Sequence, residues 1–165
     1  MSSVHIKYAS PIGGIDLHFN ETALTGLYFS DGNNPERSAN HAAPQLPVPQ
    51  SIIFQTIAEL DEYFNGTRRE FTIPLEPHGT EFQKSVWNAL LGVPFGETKS
   101  YMDIAQEIGK PKAARAIGGA VGKNPISIII PCHRIIGTNR SLTGFGGGLP
   151  IKKWLLEHEG FSTNS

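Results

Sequence analysis

Ser100-Tyr101-Met102-Asp103-Ile104-Ala105-Gln106-Glu107-Ile108-Gly109-Lys110-Pro111-Lys112-Ala113-Ala114-Arg115-Ala116-Ile117-Gly118-Gly119-Ala120-Val121 reads as two short helices around a tight turn. Ser100 is a candidate N-cap, and Ile104, Ala105 and Ile108 recur on one face of a helix over 101–108. Gly109-Lys110-Pro111 turns the chain, and a second helix is expected over 112–121. This is a helix-turn-helix pattern, which other αα-hairpins share. The second helix is unusual in composition. A major-groove reader carries Asn, Gln or Arg aimed at base edges, whereas Ala and Gly dominate here. Small residues suit either close helix packing inside the protein or entry into the narrow minor groove with little base readout. Arg115 is the one long cationic side chain in its centre. It can occupy the space of an extruded base, or it can bridge to a surface acid.

Downstream, Ile126–Ile130 is a continuous apolar run that predicts a buried strand ending at Pro131. The chain's only cysteine follows in Ile130-Pro131-Cys132-His133-Arg134-Ile135-Ile136. A single cysteine cannot form an intramolecular disulfide, and a structural zinc site usually takes several Cys or His at ligand spacing. A buried free cysteine often serves as a small hydrophobe. The adjoining Pro and His make a nucleophile the sharper reading. Residues 137–148 form a glycine-rich loop, and 151–159 a closing helix.

Upstream, 80–91 reads as a helix capped by Thr80, with Phe82, Val86, Trp87, Leu90 and Leu91 as its buried stripe. Pro94-Phe95-Gly96-Glu97 breaks the chain after it. The first part of the sequence has a different character. Residues 4–9, 15–19 and 24–29 alternate as strands of an antiparallel meander, with Pro11-Ile12-Gly13-Gly14 as the first turn. Residues 31–50 read as a loop. A helix follows to Phe64, with Ser51 as a candidate cap and Ile52, Ile53, Thr56, Ile57, Leu60 and Phe64 at helical spacing. Residues 71–75 form a short extended piece, and Glu76-Pro77-His78-Gly79 makes a boundary between domains 1–78 and 79–165.

Charge separates along the same line. Residues 1–79 hold 4 basic against 9 acidic residues, and residues 80–165 hold 10 against 6. The second half is therefore the side expected to face a polyanion. No apolar stretch is long enough to span a bilayer, and the start lacks a basic segment followed by an apolar core. With one free thiol, this favours a reducing, cytoplasmic setting.

Five blocks occur in order: Tyr101-Met102-Asp103-Ile104-Ala105, Lys112 to Ala120, Gly122-Lys123-Asn124-Pro125, Ile130 to Ile136, and Lys153-Trp154-Leu155-Leu156-Glu157-His158-Glu159-Gly160. Together they resemble the O6-alkylguanine-DNA alkyltransferases, the methylated-DNA–protein-cysteine methyltransferases. The resemblance covers 80–160 closely, and the first 75 residues fit the family's variable N-terminal domain in outline. It implies an α/β protein with an N-terminal α+β, ribonuclease-H-like domain. A mainly helical C-terminal domain with a winged helix-turn-helix-like motif would follow.

The implied activity is direct, stoichiometric transfer of an alkyl group from O6-alkylguanine in double-stranded DNA to Cys132, with O4-alkylthymine as a further candidate substrate. His133 would be the base and Glu159 the carboxylate that orients it. Tyr101 would assist protonation of the leaving guanine and rotation of the nucleotide. Arg115 would fill the gap, with Ala114, Ala116, Gly118 and Lys112 also at the DNA. Asn124 would be a hinge, and Pro131, Phe145, Gly146 and Gly147 would line the pocket. Phe145 stands where some members carry Tyr and Gly146 where some carry Ser, so loop contacts to guanine would come from backbone groups. Some relatives hold zinc in the N-terminal domain through Cys and His. No cysteine precedes Cys132, so no metal or cofactor is expected, and His5, His18 and His41 are read as solvent-facing. The implied working form is a monomer.

Two other classes compete with this reading. A catalytically dead sensor of alkylated bases would replace the cysteine. A cysteine hydrolase would draw its Cys and His from distant segments rather than from neighbours.

Overall fold

The computed structural model describes residues 3–30, 50–137 and 148–161. The chain divides into two compact units, 1–77 and 78–165.

In the first unit, β1 (Val4–Ser10), β2 (Gly13–Phe19) and β3 (Leu24–Phe29) form an antiparallel sheet in sequence order. Its register pairs Val4 with Phe19, Tyr8 with Ile15 and Leu17 with Leu27. Strand periodicity therefore puts Val4, Tyr8, Ile15, Leu17, Phe19 and Leu27 on one buried face. The first turn is tighter than expected. Only Pro11 and Ile12 form it, because Gly13 takes φ 108 and starts β2 together with Gly14. His5 is exposed, and its ring stacks on that of half-buried His18 at 3.8 Å. His41 lies outside the described residues.

Helix α1 (Gln50–Phe64) buries Ile53, Thr56, Glu59, Leu60 and Tyr63. Ser51 is the second residue of this helix rather than its cap. Ile52, Ile57 and Phe64 are only half-buried, and Tyr63 and Glu59 occupy the inner face instead. Glu59 is tolerated there because it accepts hydrogen bonds from the Thr72 amide at 2.8 Å and from the Thr72 hydroxyl, which ties the extended segment to the helix. Leu75 makes a parallel bridge to Leu24, extending the sheet edge by one contact.

The second unit is mainly helical. Helix α2 (Glu81–Leu91) opens with a capping box between Thr80 and Gln83, and α3 (Tyr101–Glu107) opens with one between Ser100 and Asp103. Leu91 is 48% exposed, contrary to its expected place in the buried stripe; Gly92 ends the helix just after Leu90 fills the inner face. Helix α4 (Ala114–Gly122) starts two residues later than expected. The Ala113 amide donates to Lys110 O at 2.9 Å, closing a turn over Pro111 and Lys112. Lys112 thus sits exposed in the turn, not in the helix. Ile104, Ala105, Ile117, Ala120 and Val121 are buried between these elements, and Trp87 Nε1 donates to Ala120 O at 2.9 Å. Strands β4 (Lys99–Ser100) and β5 (Ile135–Ile136) pair in parallel, and α5 (Leu149–His158) closes the unit.

The run 126–130 is not a strand. Ile130 N donates to Ile126 O at 3.0 Å and Ile129 N to Ser127 O at 2.8 Å, so the segment coils on itself. Ile128 takes φ 73, left-handed backbone that a β-branched residue rarely adopts. The isoleucines at 126, 128, 129 and 130 are buried all the same. Tertiary packing, not β-propensity, decides their backbone.

Candidate active site

The coiled segment delivers Cys132 into a 3-10 turn, Cys132–Arg134, whose three side chains are all buried. Asn124, just past α4, holds the coil at both ends. Its Oδ1 accepts from Ile126 N at 2.9 Å, and its Nδ2 donates to Ile130 O at 2.7 Å. A turn residue before proline thereby becomes a clamp between α4 and the cysteine. Pro131 leads into the turn, and its carbonyl accepts from Arg134 N at 3.0 Å.

Around the turn lies a buried ionic network. Glu159, at the C-terminal end of α5, places Oε2 at 2.7 Å from His133 Nε2. Arg134 Nε donates to Glu159 Oε1 at 2.8 Å, and one of its terminal nitrogens donates to Oε2 at 3.0 Å. Its other terminal nitrogen donates to Val93 O at 2.7 Å, and the guanidinium lies over the Phe95 ring. Gly96 faces the same carboxylate. Its φ is 81, and a Cβ there would lie 3.1 Å from Glu159 O, so both backbone conformation and space favour glycine.

Burial alone would raise the pKa of Glu159. The hydrogen bonds of His133 and Arg134 and the guanidinium charge outweigh burial and hold the carboxyl well below the usual carboxylate range. An ionised Glu159 requires the hydrogen of neutral His133 to sit on Nε2, leaving the lone pair on Nδ1. That Nδ1 is buried and has no hydrogen-bond partner among the described residues. Burial, more than any other cause, pushes the imidazole pKa down, so His133 is neutral near pH 7 and able to accept a proton.

Burial likewise pushes the Cys132 thiol up, against the hydrogen bonds of Asn124 and Ser127 and the charge of Lys152. Lys152 is fully buried on α5, and its Nζ donates to Ile135 O at 2.6 Å. Burial lowers its pKa to about 8, opposed by the charge of Cys132. A protonated thiol thus feels the charge of buried Lys152, and the next residue in the chain is a neutral base, a combination suited to forming a thiolate during reaction rather than storing one.

The sequence matches family models along both units. The model described as 6-O-methylguanine DNA methyltransferase, ribonuclease-like domain, covers residues 4–77, and the DNA binding domain of the same name covers 81–161. The chain belongs to the 6-O-methylguanine DNA methyltransferase family. A Methanosarcina acetivorans methylated-DNA–protein-cysteine methyltransferase is 46% identical over 93% of this chain and 96% of its own. The inducible Bacillus subtilis relative is 54% identical over 84% of this chain and 81% of its own. The crystal structure of Mycobacterium tuberculosis O6-methylguanine methyltransferase superposes with a TM-score of 0.82 at 43% identity, covering 96% of this chain and 93% of that one. A structure of the Mycobacterium tuberculosis protein in complex with DNA gives 0.80 at 43% identity, over 95% and 91% of the two chains. The family's mixed α/β plan, a ribonuclease-like unit followed by a helical DNA-binding unit, is the plan seen here.

Among the residues singled out from the sequence, Asn124, Pro131, Cys132, His133 and Glu159 converge on one buried site in this family member. Tyr101 begins α3, half-buried, and its ring lies 3.9 Å from where a Cβ on Gly118 would be. Arg115 and Ala116 are exposed on α4, with Ala114 and Gly118 half-buried. Phe145, Gly146 and Gly147 lie outside the described residues. Sequence reasoning missed three participants. Arg134 was inside the quoted Pro-Cys-His-Arg block, but a surface arginine is the ordinary expectation. Lys152 precedes the closing block, beside half-buried Lys153, with nothing local to mark it as the inward one. Ser127 was hidden by being counted into an apolar strand.

Proposed function

We propose that this protein repairs double-stranded DNA by moving an alkyl group from O6 of guanine to Sγ of Cys132, once per molecule. The observation that carries the reading is the buried Cys132–His133 turn backed by the Glu159–Arg134 pair, in a member of the 6-O-methylguanine DNA methyltransferase family. The thiol proton passes to His133 Nδ1, with Glu159 stabilising the imidazolium that forms. The thiolate attacks the alkyl carbon, the S–C bond forms as the C–O6 bond breaks, and the purine leaves with the bonding pair. Tyr101 protonates that purine and recovers its proton from solvent. A thioether is a poor leaving group, so the reaction stops after one turnover.

A thiol this deep cannot meet a stacked base, so the nucleotide must be extruded. The exposed face of α4, made of Arg115, Ala116, Gly119 and Gly122, lets the backbone approach a minor groove. Arg115 fills the space left behind, and Asn124 links that helix to the reacting turn. Lys112, in the turn before α4, contacts phosphate. The protein works as a monomer in the cytoplasm and needs no cofactor. Domain boundaries at 1–78 and 79–165 would separate the supporting sheet from the reacting unit.

The test is intact mass after mixing with duplex DNA containing O6-methylguanine. The expected result is a gain of one methyl group per protein and no further change. A protein whose mass stays constant while the lesion disappears would be a hydrolase, and one that binds without adduct would be a sensor; either sinks the proposal.

Arg115 has its own expected result. Arg115→Ala slows single-turnover repair of duplex DNA about 10- to 100-fold, because opening the stack costs a few kcal/mol. Reaction with the free base O6-methylguanine, which needs no extrusion, keeps its rate. Equal slowing on both substrates would show damage to the thiol site and rule out the gap-filling role.

A further inference from the structure

Glu159 can orient His133 only if the carboxylate is itself held. A carboxylate turns about its Cγ–Cδ bond and offers about four lone-pair sites, so one contact to one oxygen leaves its direction open. Arg134 removes that freedom. Its Nε donates to Oε1 at 2.8 Å and one terminal nitrogen donates to Oε2 at 3.0 Å, a two-point fork. Its other terminal nitrogen donates to Val93 O at 2.7 Å and anchors the fork from behind. Val93 is buried, and its own amide donates to Leu90 O at 3.0 Å at the end of α2. Gly96 N adds a further donor to Oε1 at 3.4 Å. The guanidinium therefore ties together the 3-10 turn, the C-terminal end of α5 and the chain after α2. Within that frame Oε2 meets His133 Nε2 at 2.7 Å. Neutralising Glu159 needs only a positive charge, which a lysine supplies as a point. The fork supplies a direction.

We propose that Arg134 is a positioning residue of the alkyl transfer: its fork fixes the Glu159 carboxylate so that neutral His133 carries its hydrogen on Nε2 and presents Nδ1 as the proton acceptor. The proposal rests on the alkyl-transfer reading above. Arg134 acts through Glu159 and not on the reacting atoms. The proton leaves Sγ for Nδ1, and the Nε2 hydrogen stays on the imidazole. Glu159 remains a carboxylate, because donors from Arg134, Gly96 and His133 already occupy both of its oxygens. The S–C bond then forms while the C–O6 bond breaks. The guanidinium charge by itself disfavours an imidazolium, as does Lys152 from α5. What Arg134 adds to the relay is therefore geometry, delivered through Glu159.

Arg134→Lys keeps the charge and removes the fork. Nitrogen-15 correlation spectra separate the two neutral tautomers of His133, whose signal among the chain's six histidines is assigned by its absence from His133→Gln. Wild type is expected to show the Nε2–H form alone. In Arg134→Lys the Nδ1–H form joins it. Single-turnover methyl transfer per folded molecule slows about 10- to 100-fold, the scale of a reacting group displaced by up to about an ångström. The slowing is the same on duplex DNA and on free O6-methylguanine, and duplex affinity is kept, which separates it from a defect in extrusion. A lysine variant with the wild-type tautomer, or with the wild-type rate, would show that Arg134 supplies charge alone and overturn the proposal. Should that variant not fold, Arg134→Gln, which has one amide donor group and no charge, takes the same two measurements. A wild type whose neutral His133 is Nδ1–H overturns the proposal without any variant. If wild type takes up methyl and the two tautomer spectra match, the Arg134 proposal alone fails. If wild type takes up no methyl, the alkyl-transfer reading fails, and the positioning role in that reaction falls with it.

Discussion

Cys132→Ala takes up no methyl group from methylated duplex DNA and binds the same duplex with undiminished affinity. Cys132 is the only thiol in the chain, so no second sulfur can stand in for it. Lys152, the buried amine whose charge acts on Cys132, has its Nζ committed to Ile135 O. Binding is expected to survive because the surface proposed for DNA is α4 and its preceding turn, where Arg115 and Lys112 are exposed. Alanine is close to cysteine in size, so the buried turn keeps its packing. Intact mass and an equilibrium titration on one duplex check the two halves separately. Any methyl adduct on the variant would remove Cys132 from the acceptor role.

Glu159→Gln loses both stability and reaction rate. The amide keeps the shape of the carboxylate but leaves the Arg134 charge buried without its counter-charge, and breaking such a pair costs about 3–5 kcal/mol. It also removes the charge that stabilises protonated His133, so transfer slows by about two orders of magnitude or more. Trp87 and Trp154 are the chain's two tryptophans and both lie in 78–165, so urea unfolding followed by their fluorescence reads this unit.

The pH response carries the same signature. His133 is held below its ordinary value, so the unfolded state binds more protons as pH falls through about 6.5, and stability drops. Glu159 is also held down, so its contribution is present above about pH 4.3 and is lost as pH falls toward its much lower folded value. Wild type therefore loses stability in two stages on acidification, and Glu159→Gln lacks the second stage. An acid limb identical in the two proteins would show that the carboxylate does not hold this network together.

Much of the site was legible because its parts are short and local. Ser100 and Thr80 read as the caps of their helices, and the structure completes each as a capping box, with Asp103 and Gln83. Cys132 and His133 are sequence neighbours. Asn124 stands before a proline, where a side-chain clamp on the following backbone is an ordinary turn chemistry. Glu159 was legible only through its block. Nothing about an acid near a helix end says that it faces inward, and most do not.

The capping of α2 and α3, the meander of β1 to β3 and the identity of the single thiol were determined by the sequence itself. Each depends on residues close together along the chain, or on composition. The tertiary structure decided the rest. A run of isoleucines that locally favours a strand is coiled by Asn124, by its own backbone hydrogen bonds and by burial of its four isoleucines, so that Ile128 adopts φ 73. Lys152 and Lys153 are chemically alike and adjacent, and only the direction of α5 decides that the first is buried beside Cys132. Arg134 and Glu159 are 25 residues apart, and their pairing exists only once α5 has closed over the 3-10 turn. Local propensity acts over one helical turn. The charge, burial and hydrogen bonding that make a thiol reactive act through space, between segments that sequence order does not place together.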